Sequence, residues 1–427
     1  MVGVGGRNPF FQKGVSSPHD FPPCRPAMMI VYAAMGMALA AVAALIFYGG
    51  RRLARSYRAP EVAPLIDWPA VALLVPVKGN PAGMDLCLDS LLTQDYPDYE
   101  IIFITQEEHD AATPVLDAAM ARALLPAKGF GRPRTCRRVV AGLATQCGQK
   151  NHNLLAGIAH LAPDRKILAF CDATHLAPPH WLRSLTMPIA RGQSKAATGY
   201  HHCHPASTAL ARLAPLGRTI CVLALYMMQE IPAITQPWGG AMAIERATFD
   251  ELGVAEIWAT NVVDDVSLAA RLQSSGLKAR AAVAARMESP LPSESFAGWQ
   301  DWLARQWLYL KFIFPGSWAA IGLALYTLAA LMLWAAGRCL AANLGLISWD
   351  AAYLDSLFLC LLALLGLVAR TRHPDPIPAH SWLAAFLTAI LFAAWTHMTT
   401  LFSMTIGWRG LTYRVGINGT VRKVLRD

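Results

Sequence analysis

The apolar positions of the chain fall into three regimes. Residues 27–48 form one uncharged apolar run, AMMIVYAAMGMALAAVAALIFY, long enough for a bilayer crossing of about 20 residues. From about residue 71 to about residue 286, short apolar runs alternate with amphipathic stretches. VALLVPV (71–77), EIIFIT (100–105) and the run ending KILAFCD (166–172) have the length and composition of buried strands. MDLCLDSLLTQ (84–94), QKNHNLLAGIAHL (149–161) and PPHWLRSLTMPI (178–189) have helical spacing. Such alternation predicts an α/β fold, a mostly parallel sheet with covering helices. Further on, FAGWQDWLARQWLYLKFIF (296–314) mixes Trp, Tyr, Arg and Lys with apolar residues, the pattern of a helix in a membrane interface. Three apolar spans follow, at roughly 317–336, 351–368 and 382–406, each near the ~20 residues of a crossing.

This pattern divides the chain. Residues 1–26 are rich in Gly, Pro and Ser and lack periodicity. They are expected to be disordered, or the biological start is Met28 or Met29. Residues 27–48 are expected to be an uncleaved transmembrane anchor rather than a signal peptide, because the arginines follow the span instead of preceding it. A cytosolic α/β domain is expected over 60–295, an interfacial helix over 296–314, a membrane domain of about three spans over 317–407 and a basic tail over 408–427.

Composition agrees with a membrane protein carrying a sizeable soluble part. Charged residues make up 15% of the chain, against about 25% in a typical soluble domain, and mean hydropathy is +0.34. Net charge is +9, but the basic residues form no long nucleic-acid patch. Arg51, Arg52, Arg55 and Arg58 follow the first span, and Arg409, Arg414, Arg422, Lys423 and Arg426 follow the last. That distribution is the positive-inside signature and favours anionic lipid. Nine scattered cysteines show no zinc-type spacing, and no disulfide is expected. One conflict remains. One N-terminal and three C-terminal crossings would put the basic tail opposite the α/β domain, although its charge prefers the cytosol. One C-terminal span is therefore expected to be re-entrant or interfacial, and the sequence leaves open which.

Ligands of parallel sheets bind beyond the carboxyl ends of the strands. Four features fall there. The strand 100–105 runs into Gln106, Glu107, Glu108, His109 and Asp110, either a ligand-facing loop or a solvated one before a helix start. Lys150 opens a helix, where the dipole prefers anions, so it either serves a ligand such as phosphate or is an ordinary exposed lysine. Asp172 ends an apolar strand, so it must be paired, hydrogen-bonded or metal-bound unless it only makes the turn before Pro178 and Pro179. Asp264 and Asp265 precede a helix. One can cap it, leaving the other free as a base. The cluster His201, His202, Cys203 and His204 lacks the partner spacing of a zinc site and is read as loop or substrate-lining residues.

The order of these features resembles family 2 glycosyltransferases of the GT-A fold, above all the ceramide glucosyltransferase branch and its bacterial lipid-glycosylating relatives. The likeness spans about residues 71–314 and the flanking membrane segments. It implies that LLVPVKG, with Pro76 and Lys78, lines a nucleotide pocket, and that Glu107 is the first acid, where the family usually has Asp. It implies that Lys150 in GQKNHNL contacts the diphosphate or ribose, and that Asp172 in FCDATHLAPPHWL holds a divalent metal, Mg or Mn. Gly239 and Gly240 would let backbone approach the sugar. Asp265 would be the catalytic base and Asp264 its neighbour. The sequence departs from the family at Thr174, where many relatives have a second Asp, and in LARQW, which keeps Arg305 and Trp307 but has Gln306 at the usual Arg position.

The function so implied is inverting transfer of a sugar, a hexose, from a nucleotide sugar, a UDP-sugar, to a lipid hydroxyl such as that of ceramide. The implied partners are the nucleotide sugar, a membrane lipid acceptor and the bilayer, without nucleic acid. The implied location is the bacterial inner membrane with a cytosolic catalytic domain. Two rival readings are a processive polysaccharide synthase and a catalytically weak, glycosyltransferase-like binding protein.

Overall fold

A computed structural model describes residues 26–55, 57, 67–123, 131, 133–206 and 212–426. Apart from Pro26, the N-terminal segment expected to be disordered lies outside the described residues. Helix α1 (Ala27–Leu53) comes first. The α/β unit then runs β1 (Val71–Val77), α2 (Met84–Leu92), β2 (Tyr99–Thr105), α3 (Thr113–Ala123), β3 (Thr135–Val140), α4 (Gln149–Ile158), β4 (Ile167–Cys171), α5 (Trp181–Ala190), β5 (Ala196–Pro205), α6 (Leu213–Gln229), β6 (Ala241–Glu245), α7 (Arg246–Glu251), α8 (Val254–Trp258), α9 (Asp265–Ser274) and β7 (Ala279–Leu291).

The seven strands form one sheet in the order β3-β2-β1-β4-β6-β5-β7. Only β6 is antiparallel to its neighbours, so the expected mostly parallel sheet is found. Its central strands are near-continuous runs of Val, Leu, Ile and Phe because helices cover both faces. On one face Trp181, Tyr96 and Leu88 pack against alternate residues of β1, β2 and β4. On the other, Trp258, Phe249 and Leu154 pack against the remaining set. Each fully buried side chain of this kind contributes about 1.5–3 kcal/mol.

The chain order reverses between β1 and β4, which opens a crevice at their carboxyl ends. The strands also part there. β1 pairs with β2 as far as Val77 and Thr105, but with β4 only as far as Leu74 and Phe170. Pro76, which has no N–H to give, lies in the part of β1 that β4 no longer accompanies.

After β7 come α10 (Phe296–Ile313), α11 (Pro315–Asn343), α12 (Trp349–Arg370) and α13 (Ala379–Thr399). Ser295 and Ser348 cap α10 and α12 by accepting from Gly298 N and Ala351 N. The third expected span, 382–406, is corrected: the helix ends at Thr399, and residues beyond it form an antiparallel sheet of β8 (Thr405–Trp408), β9 (Leu411–Val415) and β10 (Val421–Arg426). A hydropathy window merges the apolar end of α13 with β8. The two-residue alternation of buried Leu411, Tyr413 and Val415 marks the strands instead.

The tail is thus a folded sheet seated on the α/β unit. Val262 N donates to Gly419 O at 2.9 Å, and Val421 N donates to Thr260 O at 2.8 Å. Gln149 N, at the start of α4, donates to the Tyr413 hydroxyl at 3.1 Å.

The course of α13 is informative. It begins at the foot of α12, where Trp382 Nε1 donates to Gly366 O at 2.9 Å. The loop before it reaches β5, with His373 Nε2 at 3.0 Å from Cys203 O and Asp375 at 2.9 Å from His204. Midway, Phe392 stacks on Trp299 of α10 at 4.0 Å. It ends at the foot of α11, where His397 stacks on Trp318 at 4.6 Å and meets the Tyr326 hydroxyl at 2.8 Å. Both ends of α13 therefore lie beside the α/β unit. By contrast, the turn joining α11 to α12 is exposed, with Leu346 74% accessible.

Candidate active site

β4 delivers Asp172 to the mouth of the crevice, and α4 delivers Lys150 beside it. Lys150 Nζ lies 2.8 Å from Asp172 Oδ1, 3.0 Å from Asp264 Oδ2 and 3.0 Å from Gly239 O. Asp265 Oδ2 accepts from Gly239 N at 2.8 Å, and its Oδ1 accepts from Val266 N at 2.7 Å. Gly239 has no room for a side chain: a β carbon there would stand 2.6 Å from both Asp264 Oδ2 and Lys150 Nζ. A glycine is needed because backbone, ammonium and two carboxylates share one point. Lys150, Asp172, Gly239, Asp264 and Asp265 therefore converge, with Gly240 next in the chain.

The cluster sets its own charges. Burial opposes the charge on Lys150, but Asp172, Asp264 and Asp265 outweigh it and hold the ammonium well above the ordinary lysine range. Burial likewise opposes ionisation of Asp172, yet Lys150 and His175 hold its carboxyl well below the ordinary carboxylate range. Asp265 goes the other way. Burial and the Asp264 charge push it up to about 7, against Lys150 and the two N–H donors. Two carboxyl groups with values driven apart are the usual mark of divided chemical roles.

A chain of side chains runs behind Asp172. His175 Nε2 faces Asp172 Oδ2 at 3.8 Å. The Ser289 hydroxyl lies 2.6 Å from His175 Nδ1 and 2.5 Å from His201 Nδ1. One hydroxyl proton serves two imidazoles, so one ring accepts from Ser289 and the other donates to it. His201 stacks on Trp238 at 4.4 Å, within 3° of parallel. The histidine cluster thus belongs to strand β5 rather than to a loop, and His201 and His202 are both buried. His204 binds Asp375 and Glu288 instead. Trp238 and Ser289 were not found from the sequence. Trp238 adjoins Gly239, but Ser289 sits 114 residues from His175 and had no local signal.

The remaining predicted residues separate into two places. Lys78, just beyond β1, donates to Gln106 Oε1 at 3.0 Å. In the run after β2, Asp110 is the buried acid, accepting from Gly79 N at 2.8 Å and Ala112 N at 2.9 Å. Glu107 is exposed and makes no ion pair or hydrogen bond among the described residues. On α10, Arg305 is half-buried. Tyr309, one turn on, feels the charges of Arg305, Asp265, Asp264 and Lys150, so this face looks onto the acid cluster. Trp307 lies on another face and packs edge-on against His397 at 5.5 Å.

Among the described residues no three His, Cys, Asp or Glu side chains form a metal cage. Asp172, with 39% of its side chain accessible, still suits a hard divalent ion. Such ions take one or two carboxylates and complete their shell with substrate phosphates and water.

One relative, ceramide glucosyltransferase of Komagataella phaffii, is 31% identical over 99 residues, covering 20% of this chain and 19% of that protein. The chain therefore matches about a fifth of that relative's length. Among solved structures, a mannosyltransferase from Pyrobaculum calidifontis in complex with GDP-Man and Mn2+ aligns with 87% of this chain and 99% of its own at 16% identity and a TM-score of 0.44. Glucosyl-3-phosphoglycerate synthase from Mycobacterium tuberculosis with Mn2+ and UDP-Glc aligns with 53% and 71% at 15% identity and a TM-score of 0.31. Residues 28–421, nearly the whole length, match the family described as Glycosyl transferase family 21, and the chain belongs to that family.

Proposed function

We propose that this glycosyltransferase moves a hexose from a UDP-sugar to the hydroxyl of a membrane lipid, ceramide or a related one, with inversion. The observation that carries the reading is the convergence of Lys150, Asp172, Asp264 and Asp265 on Gly239 at the crevice. The name of the yeast relative supports a glucosyl donor and a ceramide-like acceptor. Asp265 accepts the proton of the attacking hydroxyl, and its two backbone donors fix the carboxylate. Attack of that oxygen on the anomeric carbon, opposite the departing diphosphate, inverts the centre. Asp172 would hold a divalent ion, which when bound would neutralise the diphosphate and stabilise the leaving group. Lys150 holds Asp172 and Asp264 together, and the Arg305 and Tyr309 face of α10 looks onto the cluster.

The acceptor reaches this site from the bilayer. In our reading α1, α11 and α12 cross it, while α13 lies flat at the feet of α11 and α12. All four helices are long and apolar enough to cross, but only α13 has both ends beside the α/β unit. Three crossings put the basic tail and the α/β unit together on the cytosolic side, as the positive-inside rule asks. In a chain with its native cysteines replaced, Leu346→Cys should react with an impermeant maleimide from outside intact cells, and Lys423→Cys only after permeabilisation. Labelling of both from outside would refute the flat α13.

The function itself is tested by mass spectrometry of lipids from cells with the intact protein, without it, and with Asp265→Asn. One or more lipids carrying an added hexose should appear with the intact protein only. An unchanged lipid profile would overturn the proposal, and a long polysaccharide product would favour the processive reading.

A further inference from the structure

β8 and β9 are joined by the two-residue turn Arg409-Gly410, with φ of +48° and +79°. Two positive φ angles make the hairpin turn whose twist matches its strands, and Asn, Asp or Gly ordinarily takes its first position. Arginine is disfavoured there because its β carbon crowds the backbone in the left-handed region. Strain of this kind persists where a side chain has a task.

The turn is held firmly in place. Ile406 and Tyr413 are buried against Val262, Leu308 and Phe312, and the Asn261 amide donates to Asn418 O at 2.8 Å. It projects onto the mouth of the crevice. The Arg409 guanidinium donates to the carbonyl of Lys78, and Lys78 Nζ lies 3.4 Å from Arg409 O.

Arg305 approaches from α10. Burial pushes its guanidinium down, and the charges of Arg218 and Arg409 add to that push against Tyr309 and Asp301. Lys78, Arg305 and Arg409 thus come from three distant segments to one mouth. Among the described residues none of the three pairs with a carboxylate, while Asp172 and Asp264 are already engaged by Lys150. Gathered cations with no carboxylate in contact favour an anion. A guanidinium fork suits two phosphate oxygens at once.

We propose that Arg409 is a ligand of the donor's diphosphate, and that the C-terminal sheet presents it as a fixed cover over the nucleotide. This rests on the reading of the site given above. The cover acts together with Lys78 and Arg305, and it explains why a basic tail is folded against the catalytic unit.

The test uses the full-length protein in nanodiscs. Arg409→Gly removes the guanidinium and relieves the strain of the turn, and Tm reports whether the fold is kept. Binding of UDP, GDP and uridine is measured by calorimetry, together with the apparent Tm and the KM values for donor and lipid. UDP or GDP affinity should fall at least tenfold, uridine affinity should be unchanged, Tm should be equal or higher, and donor KM should rise without a change in lipid KM. Arg409→Lys should recover part of the loss. Unchanged nucleoside diphosphate affinity in Arg409→Gly, with binding intact in the wild type, would overturn the assignment of Arg409 alone. A wild-type protein that binds neither diphosphate would overturn the reading of the site itself.

Discussion

Asp265→Asn should lower kcat by roughly 10²–10⁴-fold, the usual contribution of a positioned general base, and leave the donor KM near that of the wild type. Asp265 stands at the first turn of α9 with both oxygens already oriented by Gly239 N and Val266 N. The amide preserves the shape of the group but removes its capacity to take a proton. The pH profile gives a second, independent reading. Burial and Asp264 push the Asp265 carboxyl up to about 7, so it is largely protonated below that value and ionised above it. A base must be ionised, so the wild-type kcat should rise through neutrality and level off above it. Asp264→Asn removes the charge that helps raise this value, and the rising limb should move to lower pH. Full turnover by Asp265→Asn, or a flat wild-type profile from pH 5 to 8, would exclude Asp265 as the base.

Much of this site was legible because its acids stand where regular elements end. An apolar run closing on Asp172, and a helix opening at Asp264 and Asp265, follow from local pattern alone, and so do the strands that carry them. The structure adds what no local pattern holds. At the sequence level Lys150 is either a ligand contact or an ordinary exposed lysine, and its ammonium bridges Asp172 to Asp264, which lie far apart in the chain. In the run after β2 the resemblance pointed to Glu107, yet the buried acid is Asp110, because register beyond a strand end depends on how the loop folds. The His201–Ser289–His175 link needs β5 and β7 to be neighbours, which only sheet order decides.

The membrane part shows the same limit in another form. Hydropathy measures how apolar a segment is and not what it lies against. α13 is apolar enough to cross, but its inner side packs on Trp299 and α6, and its ends are tied to β5 and α10. In the topology proposed above the tail's charge is the stronger clue, since a cytosolic tail is compatible with three crossings and not with four.

Lys150→Met should be the most destabilising single change at the site. The ammonium meets two carboxylates, and Asp264 is the critical one, with only 4% of its side chain accessible. Removing one partner of a buried pair leaves a charge that neither solvent nor protein compensates, a loss of about 3–5 kcal/mol. For a unit of 150–250 residues each kcal/mol moves Tm by about 2–4 °C, so the apparent Tm should fall by at least about 6 °C. Asp264→Asn added to Lys150→Met removes the stranded charge, and the double variant should melt above the single one. The pH dependence has a definite sign. Lys150 holds the Asp172 carboxyl below its ordinary range, so this stabilisation is fully present above the unfolded carboxyl value of about 4 and is lost as pH falls through the lower, folded value. The Tm gap between wild type and Lys150→Met should therefore be widest near neutrality and narrow in strong acid. Equal melting of the two proteins at pH 7 would show that the ion cluster gives the fold nothing, and that Lys150 is held for the donor alone.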